Sequence, residues 1–180
     1  MTTDQTKSPS KTPEFIIQRI YVKDLSLECP QSPHVFQEEW QPELNLQFMM
    51  NTNNLAENNY ELILKITVTA SSKEKTLFLV EIKQAGLFTL KGFTDEQNQQ
   101  ILSITCPTVL FPYAREAVSD LVGRAGFPPL YLAPVNFEAL YAQQMQEQCE
   151  KESEESGKGG KDGKTGTTKK ASSQNSIITH

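Results

Sequence analysis

A chain of 180 residues with 37% hydrophobic side chains and a mean hydropathy of −0.46 suits one domain with polar tails. Its net charge of −5 is uneven: residues 15–149 hold 9 Lys and Arg against 15 Asp and Glu, which disfavours nucleic acid and favours a basic partner. No apolar run reaches about 18 residues, the opening MTTDQTKSPSKTPE has no apolar stretch, and Cys29, Cys106 and Cys149 are too few and too scattered for a disulfide framework, so a cytoplasmic protein with reduced thiols is expected.

Residues 1–14 are polar, contain Pro9 and Pro13, and are expected to be disordered. The folded unit is expected over 15–149. FIIQRIYVKDLSLE, Phe15 to Glu28, is rich in β-branched and aromatic residues and predicts a first strand. Neither of its parities is cleanly polar, so the expected strand is covered at one end and exposed at the other. CPQSPHVFQEEWQP then carries Pro30, Pro33 and Pro42, which interrupt any ladder or helix, around Val35, Phe36 and Trp40. Glu43 to Asn51 predicts a second strand, with an Asn-rich turn to Asn59. Tyr60 to Ala70 alternates, with Leu62, Leu64, Ile66, Val68 and Ala70 on one face. Ser71 to Lys75 fits a hairpin turn, Thr76 to Ala85 a fourth strand, and Gly86 a bulge or bend. Short connections after the long first one indicate an antiparallel meander.

The chain then turns helical. Asp95 is placed as the cap of EQNQQILSI, and Pro107 and Pro112 break or kink the helical stretch after it. Ala114, Ala117, Val118, Leu121 and Val122 form an apolar stripe that Gly126 ends. FPPLYLAPV is a second proline-framed apolar segment. Asn136 caps a last helix with Phe137, Leu140, Tyr141 and Met145 on one face. Strands followed by helices predict an α+β fold, a four-stranded antiparallel sheet with helices packed against it. Residues 150–180, acidic and then Gly-, Lys-, Ser- and Thr-rich, are expected to be a disordered tail.

The residue chemistry offers no catalytic set. His34 lies in the proline loop and His180 is the last residue, there is no CxxC or HxxxH spacing, and no phosphate-binding glycine loop. No cofactor or metal is expected, and an enzyme would need a compact polar pocket. Phe36, Trp40, Phe127, Leu130, Tyr131 and Leu132 sit in the two proline-framed segments. They read either as ordinary core packing of long loops or as an apolar groove for extended polypeptide.

The motifs PHVFQ, FPYARE and LAPVNF, with the long flanking matches over Phe15 to Gln148, resemble SecB, the bacterial export chaperone family. The resemblance implies a four-stranded sheet with helices, assembled as a homotetramer (a dimer of dimers). It implies a holdase that needs no ATP, keeps precursor proteins unfolded and passes them to SecA, without entering the membrane. It places Asp24, Glu28, Leu79 and Glu81 at SecA-contacting positions, and Val80, Ile82 and Gln84 near the subunit assembly surface. It places Phe36, Trp40, Phe137 and Tyr141 on the client groove. Asp24 and Glu28 are expected to share one strand face, where a basic tail could meet them. A second reading is an antifolding chaperone with another partner, such as a toxin–antitoxin system; KDLSLE and FLVE favour SecA. The basic end of the chain departs from the short acidic tail usual in the family.

Overall fold

Four long strands occupy the first half of the chain: β1 (Glu14–Glu28), β2 (Glu43–Ala56), β3 (Asn59–Ser72) and β4 (Lys75–Lys91). They come from a computed structural model that describes residues 12–37, 41–73, 75–156 and 173–178. All pairings are antiparallel, and the order across the sheet is β1-β4-β3-β2-β5, where β5 is Ser173–Ile178. The meander is therefore β2-β3-β4. The long first connection carries the chain from the β1 edge to β2 on the far side of the sheet. The helices are α1 (Asp95–Gln100), α2 (Cys106–Arg124) and α3 (Phe137–Ser156). The architecture is α+β, with helices against one face of the sheet, as the sequence predicts.

Alternation in β3 and β4 builds the core. Leu62, Leu64, Ile66, Val68 and Ala70 of β3 and Phe78, Val80, Ile82, Phe88 and Leu90 of β4 are all at most 1% exposed. They share the inner face with Leu110, Ala114, Val118 and Val122 of α2. Each Val, Leu, Ile or Phe among them contributes about 1.5–3 kcal/mol on burial. The outer face carries the residues between them.

Two expectations about the strands need correction. Gly86 marks no bend: β4 runs through it unbroken, and a Cβ there would lie 2.7 Å from the Phe88 ring and 2.9 Å from Leu110. The glycine is there for close approach. The irregularities instead fall on the partner strand, between Ile17 and Arg19 and between Val22 and Asp24. Each β-bulge adds one residue and reverses the parity beyond it. That resolves the mixed faces of β1. The register puts Phe15, Ile17, Ile20, Val22, Leu25 and Leu27 together on the inner face, opposite Leu90, Phe88, Gly86, Gln84, Ile82 and Val80. The strand is not covered at one end and bare at the other; its inner face is apolar along its length, and its outer face is mostly polar apart from Ile16. The Asn-rich turn is also shorter than expected. β2 continues to Ala56, and the reversal needs only Glu57 and Asn58, the latter at φ 62°, a conformation asparagine tolerates.

The cap of α1 is Thr94, not Asp95. The Thr94 side chain accepts from the Gln97 amide and Gln97 reaches back to the Thr94 amide, while Asp95 sits in the first turn. A π-helical turn, Ile101–Thr105, joins α1 to α2 and brings Pro107 into the first turn of α2, where no amide is needed. α2 continues through the exposed Pro112 and ends in a Schellman motif. There Gly126, at φ 87°, donates to the Gly123 carbonyl and Phe127 donates to that of Val122. Asn136 caps α3 by accepting from the Ala139 amide at 3.0 Å. That helix runs on to Ser156, past the expected boundary at 149. The strand β5 is a further finding that the composition of the tail did not suggest.

Candidate functional site

The two faces of the sheet offer two different surfaces. On the outer face the second bulge of β1 decides the arrangement. Beyond it Asp24 stands opposite Lys83, Ser26 opposite Glu81 and Glu28 opposite Leu79. Asp24, Glu28, Leu79 and Glu81, far apart in sequence, thus share one patch. Lys83 donates to Asp24 at 2.7 Å and lies 3.7 Å from Glu81, which also pairs with Lys65 at 2.7 Å. The hydrogen bond from Lys83, then its charge, holds the Asp24 carboxyl below the usual range. Glu28 is exposed and has no ion-pair partner among the described residues. The patch is therefore three carboxylates with two interleaved lysines, less acidic than Asp24, Glu28 and Glu81 suggest by themselves. Lys83 was discoverable: it lies two residues from Glu81 and shares its face.

Next to this patch Glu61 is only 6% exposed. It accepts from Tyr21 Oη, from Lys23 Nζ at 2.7 Å and from Asn53 Nδ2 at 2.9 Å. Lys23 is the residue inserted by the second bulge, so the irregularity aims its ammonium at this carboxylate. Burial favours the neutral acid, but the three donors outweigh it and hold Glu61 at about 2, against 4.5 for a free side chain. Burial, and then the bond to Glu61, pushes the Tyr21 phenol up to about 12. A carboxyl lowered on folding contributes stability that is present above its unfolded value and lost as pH falls through its folded value. We expect about 2 kcal/mol of stability, discounted for the water around Lys23, to disappear between about pH 4.5 and 2. Urea midpoints across that range should fall more steeply in the wild type than in Glu61→Gln. Parallel curves would count against the assignment.

The inner face bears the apolar surface. A groove of about 610 Å³ lies between Leu44, Leu46 and Phe48 of β2, the segment Leu130–Asn136, and Ala139, Leu140 and Gln143 of α3. The same segment separates it from a larger cleft of about 940 Å³ against α2, lined by Phe111, Pro112, Arg115, Tyr131, Pro134 and Phe137 among others. Aromatic contacts set these walls: Phe111 meets Phe48 at 6.2 Å and Phe137 at 5.9 Å. Tyr131, 72% exposed, borders both. Volumes of this order are typical of ligand-binding clefts.

The sequence-predicted groove residues divide. Phe137 lines the larger cleft. Phe36 is 51% exposed and packs on Phe127 at 5.3 Å, which in turn packs on Phe78, so the first proline loop is tied down at the far end of α2. Tyr141 is half-buried and lines neither groove, and Trp40 lies outside the described residues. Nothing in the sequence marks Leu44, Leu46 and Phe48 of β2 as groove lining, because their alternation reads equally as core. Val80, Ile82 and Gln84 are buried within the chain's own core, at 0, 0 and 2% exposure. Gln84 Nε2 donates to the Tyr21 carbonyl, while its Oε1 has no partner among the described residues. Burial pushes the Cys106 thiol up to about 12, which makes it an inert core group. Among the described residues no cluster of His, Cys, Asp and Glu could hold a metal ion, and no helix is long and apolar enough to cross a membrane.

The family model for SecB, described as preprotein translocase subunit SecB, matches residues 8–148. The chain belongs to the SecB family. Curated SecB relatives agree over nearly their full lengths. The protein-export protein SecB of Nitrosococcus oceani is 52% identical over 149 residues, 82% of this chain and 91% of the relative. That of Marinobacter nauticus is 50% identical, covering 77% of this chain and 84% of the relative. That of Methylobacillus flagellatus is 47% identical, covering 83% and 96%. Among solved structures, a SecB-like chaperone of Mycobacterium tuberculosis in complex with a ChAD peptide from the HigA1 antitoxin is similar in fold. Its TM-score is 0.57 at 20% identity, covering 67% of this chain and 90% of that one. The SecB match stops at 148, so β5 lies beyond the part of the chain that the family model describes.

Proposed function

We propose that this member of the SecB family is an ATP-independent holdase of the cytoplasm that keeps precursor proteins unfolded and delivers them to SecA. The observation that carries it is the division of labour across one sheet. The Leu130–Asn136 segment forms one groove with the inner face at β2 and a second with α2, while the outer face gathers Asp24, Glu28, Leu79 and Glu81 into one charged patch. A client held on one side leaves the other side free for a basic partner. Such holding needs no nucleotide, because bound apolar segments simply cannot take part in the client's own core.

Assembly as a dimer of dimers fits the apolar inner face of edge strand β1, where Ile17, Val22 and Leu25 are 42, 48 and 41% exposed. Val80, Ile82 and Gln84 act on assembly, in this reading, by supporting that face from within. The complex of the mycobacterial SecB-like chaperone with an antitoxin peptide favours polypeptide binding in this fold, while the outer patch favours SecA over a toxin–antitoxin partner here. The test is refolding of an unfolded precursor with and without an excess of the protein. Refolding should slow markedly, with no effect of added ATP. An unchanged rate would end the holdase reading.

A further inference from the structure

The sheet continues where the family resemblance stops. β5 pairs antiparallel with β2, with Ser173 opposite Met50, Asn175 opposite Phe48, Ile177 opposite Leu46 and Ile178 opposite Asn45. β2 would otherwise be the edge of the sheet, with a row of unpaired amides and carbonyls. It is also the wall of the smaller groove: Leu44, Leu46 and Phe48 line it, and from β3 only Val68 does, so the groove sits over the β2 margin. The backbone pairing of an added strand asks little of sequence, and an extended client segment is the same kind of ligand.

We propose that Ser173–Ile178 is a built-in competitor for extended polypeptide, holding the β2 margin in the client-free protein until a client displaces it. The inference rests on the reading that the groove beside β2 holds clients. Residues 157–172, rich in Gly and Lys, tether the segment to α3, so re-pairing is intramolecular and its effective concentration is high even if the pairing is intrinsically weak. A client then binds only the fraction of molecules whose edge is open, and its apparent affinity falls by that fraction. Weak competitors of this kind raise the length or apolarity a client needs before it is held.

The test compares the full chain, a chain ending at Ser156, and full-length Asn175→Pro/Ser176→Pro. Amides alternate along a strand, so one of the two adjacent prolines removes a donor to β2. Hydrogen exchange should show alternate amides of Asn45–Met50 losing protection in both variants. Reduced, carboxymethylated α-lactalbumin, a permanently unfolded chain, should bind both variants about three- to tenfold more tightly than the full chain. Equal protection in all three proteins would overturn the pairing. Equal affinity despite lost protection would overturn the competition. Tightening in the shortened chain but not in the proline variant would assign the effect to the charge of residues 157–172 and also overturn it. If no form bound the unfolded chain, the holding function itself would fall, with the exchange data still reporting whether the strand pairs.

Discussion

Phe88→Ala is expected to lower the unfolding free energy by about 3–5 kcal/mol. Phe88 is fully buried, stacks on Phe15 at 5.9 Å and lies in the space that Gly86 leaves open. Its removal leaves a cavity walled by β4 and α2 on a face that cannot collapse without breaking two ladders, those to Ile17 and to Tyr60. Gly86→Ala tests the same contact from the other side. Its methyl would press on Phe88 and Leu110, both rigidly buried, and should cost about 1–3 kcal/mol. The double change should cost less than the two singly, because the methyl then enters the space the ring has left. Urea midpoints at fixed protein concentration measure all three. A loss below about 1 kcal/mol for Phe88→Ala, or strict additivity, would show that the Gly86–Phe88 contact is not the tight one described.

Loss of SecA binding in Asp24→Ala/Glu81→Ala is the second expectation, about tenfold or more, with a weaker dependence on salt. The structure adds a control of opposite sign. Lys83 is paired with Asp24 and lies near Glu81, so Lys83→Ala leaves both carboxylates less neutralised and should tighten the binding of a basic partner. The affinity for unfolded client should stay unchanged in both, since the patch lies on the face away from the grooves. Titration calorimetry with SecA at two salt concentrations reads these outcomes. Unchanged affinity in the double variant would remove SecA from the outer face. Weakening by Lys83→Ala would show that the ion pairs, rather than the carboxylates, are what the partner meets.

Much of this was legible in the order of the residues. Period-two alternation in Leu62–Ala70 placed the core face of β3, the stripe Ala114–Val122 placed α2, and Gly126 and Asn136 marked the end of one helix and the start of another. These signals are local: a strand face, a helix face or a cap is set by residues within a few positions of each other. The motifs PHVFQ, FPYARE and LAPVNF carried the family. Other features needed distant partners. The two bulges of β1 exist only against β4, and without them Ile20 and Val22 fall on the opposite face from Phe15 and Ile17. The role of Gly86 depends on where Leu110 of α2 comes to lie. Lys65 tempers the acidic patch because the register, not the sequence spacing, brings it beside Glu81, and the register likewise sets Lys83 opposite Asp24. The groove takes its β2 wall from residues that the sequence cannot tell from core, and only the Leu130–Asn136 segment beside them makes them lining. Alternation says which side chains share a face; what covers that face, and what it leaves open, depends on elements tens of residues away.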